Sequence, residues 1–165
     1  MCLSSPKLFK YHRTLLGKLC LCAWETIKEF FAACLPEVTV PDAVISIQTW
    51  GNMGAKFHPH LHDLVSKGAF DAHGVFYPLP WIDTQKMALL FREKVFTMHI
   101  QEGKITVDLA EKTCGWPHSG FNIHNEVQID AYHLPLKRYA VKNGLNLLSS
   151  FMNSILFSAR NVITK

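Results

Sequence analysis

Apolar positions along this chain switch between two periods, and the switches lay out its elements. Over residues 11–35, Leu15, Leu16, Leu19, Cys22, Ala23, Ile27 and Phe30 recur at helical spacing, and Pro36 stops the run. After a linker over 36–42 the period falls to two. In the strand predicted at Ala43–Trp50, Ile45 and Ile47 share one face while Ser46 and Gln48 share the other. Gly51 to Gly54 carries turn chemistry, and an alternating strand follows over 58–66.

Lys67-Gly68 marks a further turn, and Gly74-Val75-Phe76-Tyr77-Pro78 predicts a short edge strand ended by prolines. A second helix is predicted over 83–101, with Asp83 as N-cap and Met87, Leu90, Phe91, Val95 and Met98 along one side. A short helix over 105–114 precedes a strand over 118–129, in which Phe121, Ile123, Val127 and Ile129 are apolar. A helix over 131–142 follows, with Pro135 near its first turn. Residues 143–165 are rich in Ser, Asn and Leu and show no period that predicts an element. Strands joined by short turns around a helical layer indicate an α+β domain with a mostly antiparallel sheet.

Composition narrows the class further. A chain of 165 residues, 48% apolar and 18% charged, has the balance of one globular domain rather than of a disordered chain. No apolar run approaches the roughly 18 residues needed to span a bilayer, and Met1 to Lys7 lacks the pattern of a secretory signal. Five cysteines, odd in number and without a Cys-x-x-Cys pair, read as reduced small hydrophobes, so the expected location is cytoplasmic. The net charge of +4 is compatible with a nucleic-acid ligand and does not require one. Trp24, Trp50, Trp81 and Trp116 read as core or sheet-face aromatics, with Trp50 also a candidate for stacking on a base.

The candidate chemistry lies in His58-Pro59-His60-Leu61-His62. Alternate residues of a strand share a face, so two neighbouring imidazoles can grip one divalent ion while Leu61 packs into a core behind them. Leucine between His60 and His62 lets the strand bury its back, whereas Pro59 packs less and removes a backbone donor. That favours His60 and His62 as the metal pair. The third ligand would be Gln48, from the polar face of the preceding strand, or His58. The competing readings are a histidine-rich strand end without metal, and a histidine-triad nucleotide hydrolase. Pro59 and Asp63 both break the histidine-triad pattern, and a long stretch of chain follows where that motif lies near the C-terminus.

Several segments together resemble one family. They are Pro6-Lys7, Leu15-Leu16-Gly17-Lys18-Leu19 and Ala23-Trp24; Pro41 to Gly51; Phe57 to His62; Phe91 to Phe96 with Lys104-Ile105; and Trp116-Pro117-His118-Ser119-Gly120-Phe121 with His124. In this order and spacing, over roughly residues 6 to 142, the chain resembles the transposases of rolling-circle insertion sequences, members of the HUH endonuclease superfamily. The resemblance implies a Rep-like antiparallel sheet with helices packed on one face. It also implies a Mg²⁺ or Mn²⁺ ion on the two-histidine motif and a tyrosine that attacks one strand of single-stranded DNA, leaving a 5′-phosphotyrosine and a free 3′-hydroxyl. Tyr139 falls where the family places that nucleophile, among Lys137, Arg138 and Lys142, whose charges favour a phosphate and a developing phenolate. Pro135 stands where some relatives carry a second tyrosine, which leaves single-tyrosine chemistry. His118, Ser119 and His124 are candidates for contacting DNA or the outer shell of the metal.

Three departures stand against the resemblance. The cysteine-rich zinc-binding segment that usually precedes the family's core is missing. After Tyr139 the basic, proline-containing continuation is replaced by Ala140-Val141-Lys142-Asn143-Gly144-Leu145, and the chain ends. Asp63 occupies a position where relatives carry an apolar residue or cysteine; by alternation it shares the face of Leu61 and Val65, where a carboxylate is costly. The expected organisation is therefore a partial catalytic core over 1–142 and a divergent, frameshifted or truncated tail over 143–165. Three functions follow: a metal-dependent DNA strand transferase, a non-catalytic transposase remnant that binds single-stranded DNA, or a nucleotide hydrolase of the histidine-triad kind.

Overall fold

In the computed structural model, which describes residues 6–35, 38–50, 57–79, 81–114, 120–128 and 152–159, the first helical period is divided between two helices. α1 spans Pro6–Tyr11 and α2 spans Thr14–Cys34. The helix expected over 11–35 therefore begins at Thr14: Arg13 at its N-cap offers no side-chain bond, and the break ahead of it accompanies a buried Phe9. Leu15, Leu19, Cys22, Ala23, Ile27 and Phe30 line the buried stripe that their spacing predicts. Leu35 is extended (φ −109°, ψ 146°), the conformation that a following proline imposes.

β1 (Ala43–Trp50) and β2 (Phe57–Ser66) pair antiparallel, with β1 ending where its pattern predicts. Two further strands complete the sheet, β5 (Phe121–Gln128) and β6 (Met152–Ala159), in the order β1-β2-β6-β5 with every neighbouring pair antiparallel. β6 thus lies between the histidine strand and β5, in a segment whose pattern predicts no element. Its run Ile155-Leu156-Phe157 is continuous rather than alternating, so period alone misses it.

Between β2 and the next helix, β3 (Gly68–Phe70) and β4 (Phe76–Pro78) form a separate ribbon. Gly68 opens β3 instead of closing a turn, because a Cβ there would collide with the Tyr77 carbonyl oxygen and the Phe76 ring. At the ribbon's tip the Asp71 carboxylate accepts the amides of His73 and Val75 at 2.8 Å each, beside Gly74 at φ 81°. α3 (Thr84–Gln101) starts as expected at Asp83, whose carboxylate accepts the Lys86 amide at 3.1 Å, and α4 spans Val107–Cys114. Ion pairs Lys94–Glu29, at 2.6 Å, and Lys18–Glu102 brace α3 and its C-terminal end against α2.

The core lies on one side of the sheet. Leu61 and Val65 of β2 and Phe121 and Ile123 of β5 pack beneath Phe9, Ile27, Phe31, Met87, Phe91 and Val95 from α1, α2 and α3. Phe121 meets Phe91 and Phe96 edge-on, with ring centroids at 5.9 and 5.6 Å. Each such fully buried side chain contributes about 1.5–3 kcal/mol. The fold is the predicted α+β class, a largely antiparallel sheet with helices on one face. Trp24 is half-buried against this core, while Trp81 is 70% exposed and belongs to neither the core nor the sheet face. Among the described residues no helix is long and apolar enough to cross a membrane. The expected turn at 51–54 and helix at 131–142 lie outside the described residues.

Candidate functional site

Alternation in β2 separates its residues by face. Pro59, Leu61, Asp63 and Val65 are buried, and His60 and His62 stand on the other side, half-buried and exposed respectively. The ring centroids of His60 and His62 are 5.0 Å apart, and those of His58 and His60 5.3 Å. Gln48, exposed on β1, is the register partner of His60, and Ser46 is the partner of His62. Directly paired residues of an antiparallel ladder share a face with Cβ atoms about 4.5–5.5 Å apart. The amide of Gln48 and the two imidazoles therefore form one group on the sheet's open side. The ladder slips between Gln48 and Trp50, a bulge of the kind that re-aims side chains beside binding sites.

Hydrogen bonding orients one ring of the pair, and burial keeps the other neutral. His60 Nδ1 lies 2.7 Å from the His58 carbonyl oxygen, and because a carbonyl only accepts, Nδ1 must carry the proton. In the neutral ring that hydrogen bond selects the tautomer with its lone pair on Nε2, the arrangement in which a backbone carbonyl supports a metal-bound histidine. Partial burial, followed by the neighbouring His60, lowers the pKa of His62. These features fit a divalent ion held by His60, His62 and Gln48, with other positions left to water or substrate. Among the described residues no three His, Cys, Asp or Glu side chains are placed to hold a metal ion, so a third ligand to such an ion would have to be the Gln48 amide or a residue outside those described.

Asp63 follows His62 and faces the opposite way. It is 1% exposed, and neither carboxylate oxygen has a hydrogen-bond partner. Burial pushes its pKa up to about 8, and the Ser46 backbone nearby offsets little of this, so the group is mostly a neutral acid at pH 7. Burial, with Asp63 beside it, also raises Cys20 to about 11; burial raises Cys22 equally. Both remain thiols, unsuited as nucleophiles or ligands at neutral pH.

His124, on β5, is exposed and stands on the same open face, two strands away from β2. Tyr139, Lys137, Arg138, Lys142 and His118 lie outside the described residues, so no geometry joins them to the histidines. Asn122, also exposed on β5, is a polar residue of this face that sequence reasoning passed over. Its signal is the alternation with buried Phe121 and Ile123.

Neither the search of curated proteins nor that of solved structures returned a match. Residues 43–142, more than half of the chain and carrying β1, the histidine strand and β5, match the family described as "Putative transposase", and the chain belongs to that transposase family.

Proposed function

We propose that this chain is a transposase of the rolling-circle, HUH type, which cuts and transfers single-stranded DNA with a divalent ion, Mg²⁺ or Mn²⁺, held by His60, His62 and Gln48. The observation that carries the reading is the cross-strand group on the open face, in which Gln48 pairs with His60 and the His60 tautomer is set to leave Nε2 free. When bound, the ion supplies positive charge that polarises a scissile phosphate. Tyr139 is the proposed nucleophile. Its phenol, with an ordinary pKa of about 10, is weakly nucleophilic at pH 7. Lys137, Arg138 and Lys142, adjacent in sequence, favour loss of the proton and hold the phosphate, with His118 and His124 as further DNA contacts. Attack by the Tyr139 oxygen forms a P–O bond as the bond to the 3′-oxygen breaks. The 3′-oxygen takes up a proton, and the 5′-phosphate stays on tyrosine. Attack by another 3′-hydroxyl reverses the step, restoring a phosphodiester without ATP.

The test is incubation with single-stranded oligonucleotides and Mn²⁺, followed by denaturing electrophoresis. A covalent protein–DNA adduct is expected, absent with chelator and absent in Tyr139→Phe. A folded protein that binds the strand and forms no adduct would establish the remnant reading instead. Hydrolysis of a nucleoside phosphoramidate would point to the histidine-triad class.

A further inference from the structure

Two rows of register partners cross the sheet perpendicular to its strands: Gln48–His60–Ser158–Asn122 and Ser46–His62–Leu156–His124. Residues paired in register share a face, and burial agrees. Phe121 and Ile123 are 4% and 5% exposed on the core side, so Asn122 and His124 project with the histidines of β2, and both are exposed. Two strand spacings separate β5 from β2, about 9–10 Å. That is too far for either residue to share an ion with His60 and His62. It is within reach of the nucleotides that flank a phosphate lying there.

The chemistry of the rows suits a polyanion. Neither Asn122 nor His124 has a side-chain partner among the described residues. β1 carries no carboxylate, and the one in β2, Asp63, points into the core. The Asn122 amide offers both donors and an acceptor, as a base edge requires, and the His124 ring can donate to a phosphate oxygen. Beyond His124 the ladder with β6 slips before resuming at Val127, which ends the regular surface there.

We infer that Asn122 and His124 form a docking strip on β5 for the DNA strand, holding the nucleotides next to the phosphate presented to His60 and His62. Asn122 takes a base edge and His124 takes the backbone. The inference rests on the strand-transfer reading above, and its test is binding rather than cleavage. Fluorescence anisotropy with a mixed-sequence single-stranded oligonucleotide in EDTA removes the metal from the measurement. The double variant Asn122→Ala, His124→Ala is expected to raise Kd about tenfold. Asn122→Asp, nearly identical in shape, is expected to raise it further by bringing negative charge to the strand. Both variants should bind Mn²⁺ without DNA as the wild type does. Unchanged Kd in both variants, with a wild type that binds, overturns the strip and leaves the strand-transfer reading standing. A wild type that binds no oligonucleotide overturns both.

Discussion

Asp63 and His99 are buried ionisable residues with no hydrogen bond on either oxygen or either ring nitrogen, and they make opposite demands on pH. Burial raises Asp63 from 3.8 to about 8, so the folded chain keeps a proton that the unfolded chain has released. Stability from this group is full below pH 3.8 and falls as pH rises toward 8. Burial, then Lys104, lowers His99 from 6.5 to about 4, so its contribution is full above pH 6.5 and is lost as pH falls toward 4. The two oppose each other at mildly acidic pH, leaving Asp63 alone between 6.5 and 8. Urea melts should therefore lose stability across that window, by roughly 1 kcal/mol per pH unit. Asp63→Val, which removes the orphaned acid and suits a strand, should flatten this slope and add about 1–3 kcal/mol at pH 8. An unchanged slope in the variant would assign the pH dependence to another group.

At the scale of elements, what the sequence shows depends on whether an element has one wet face. β2 alternates and α2 repeats a buried stripe, and Pro36 and Asp83 punctuate α2 and α3, so period and punctuation locate these elements closely apart from the start of α2; Ile47 of β1, expected beside Ile45 on an apolar face, is exposed. The common face of His60 and His62 was legible for the same reason: alternation sets it before any partner strand is known. Gln48 needed only the antiparallel pairing of two adjacent strands. Alternation with Phe121 and Ile123 gives Asn122 its face, but its place in one row with His60 needed the long-range register through β6, which no local pattern encodes. β6 itself, without alternation, was invisible, yet it hydrogen-bonds to both β2 and β5. Because it is flanked on both sides, Leu156→Pro should remove a ladder bond and cost about 3 kcal/mol or more. Loss of a cooperative thermal transition would be the readout. A variant that melts like the wild type would mean that β6 is dispensable to the sheet.

Across the whole molecule the sheet divides two tasks between its faces. One face, with Leu61 at 0% exposure, is buried under the helices and carries stability; the other carries Gln48, His60 and His62 and little of the core. The same strand serves both because successive residues point opposite ways. The two tasks should therefore separate by substitution. Leu61→Ala empties a core position and should cost about 2–5 kcal/mol. His60→Ala with His62→Ala removes exposed or half-buried rings whose one described hydrogen bond is local, and should change metal-free stability by no more than about 0.5 kcal/mol. With Mn²⁺ the order reverses. An ion that binds only the folded chain raises Tm, by mass action, with its concentration. The wild type and Leu61→Ala should both show that rise. The double histidine variant should not, and Gln48→Ala should show a smaller rise if its amide is the third ligand. Thermal scans over a Mn²⁺ titration read all four chains in one experiment. An equal Mn²⁺-dependent rise in the double histidine variant would place the ion elsewhere and remove the central support for strand transfer at this face.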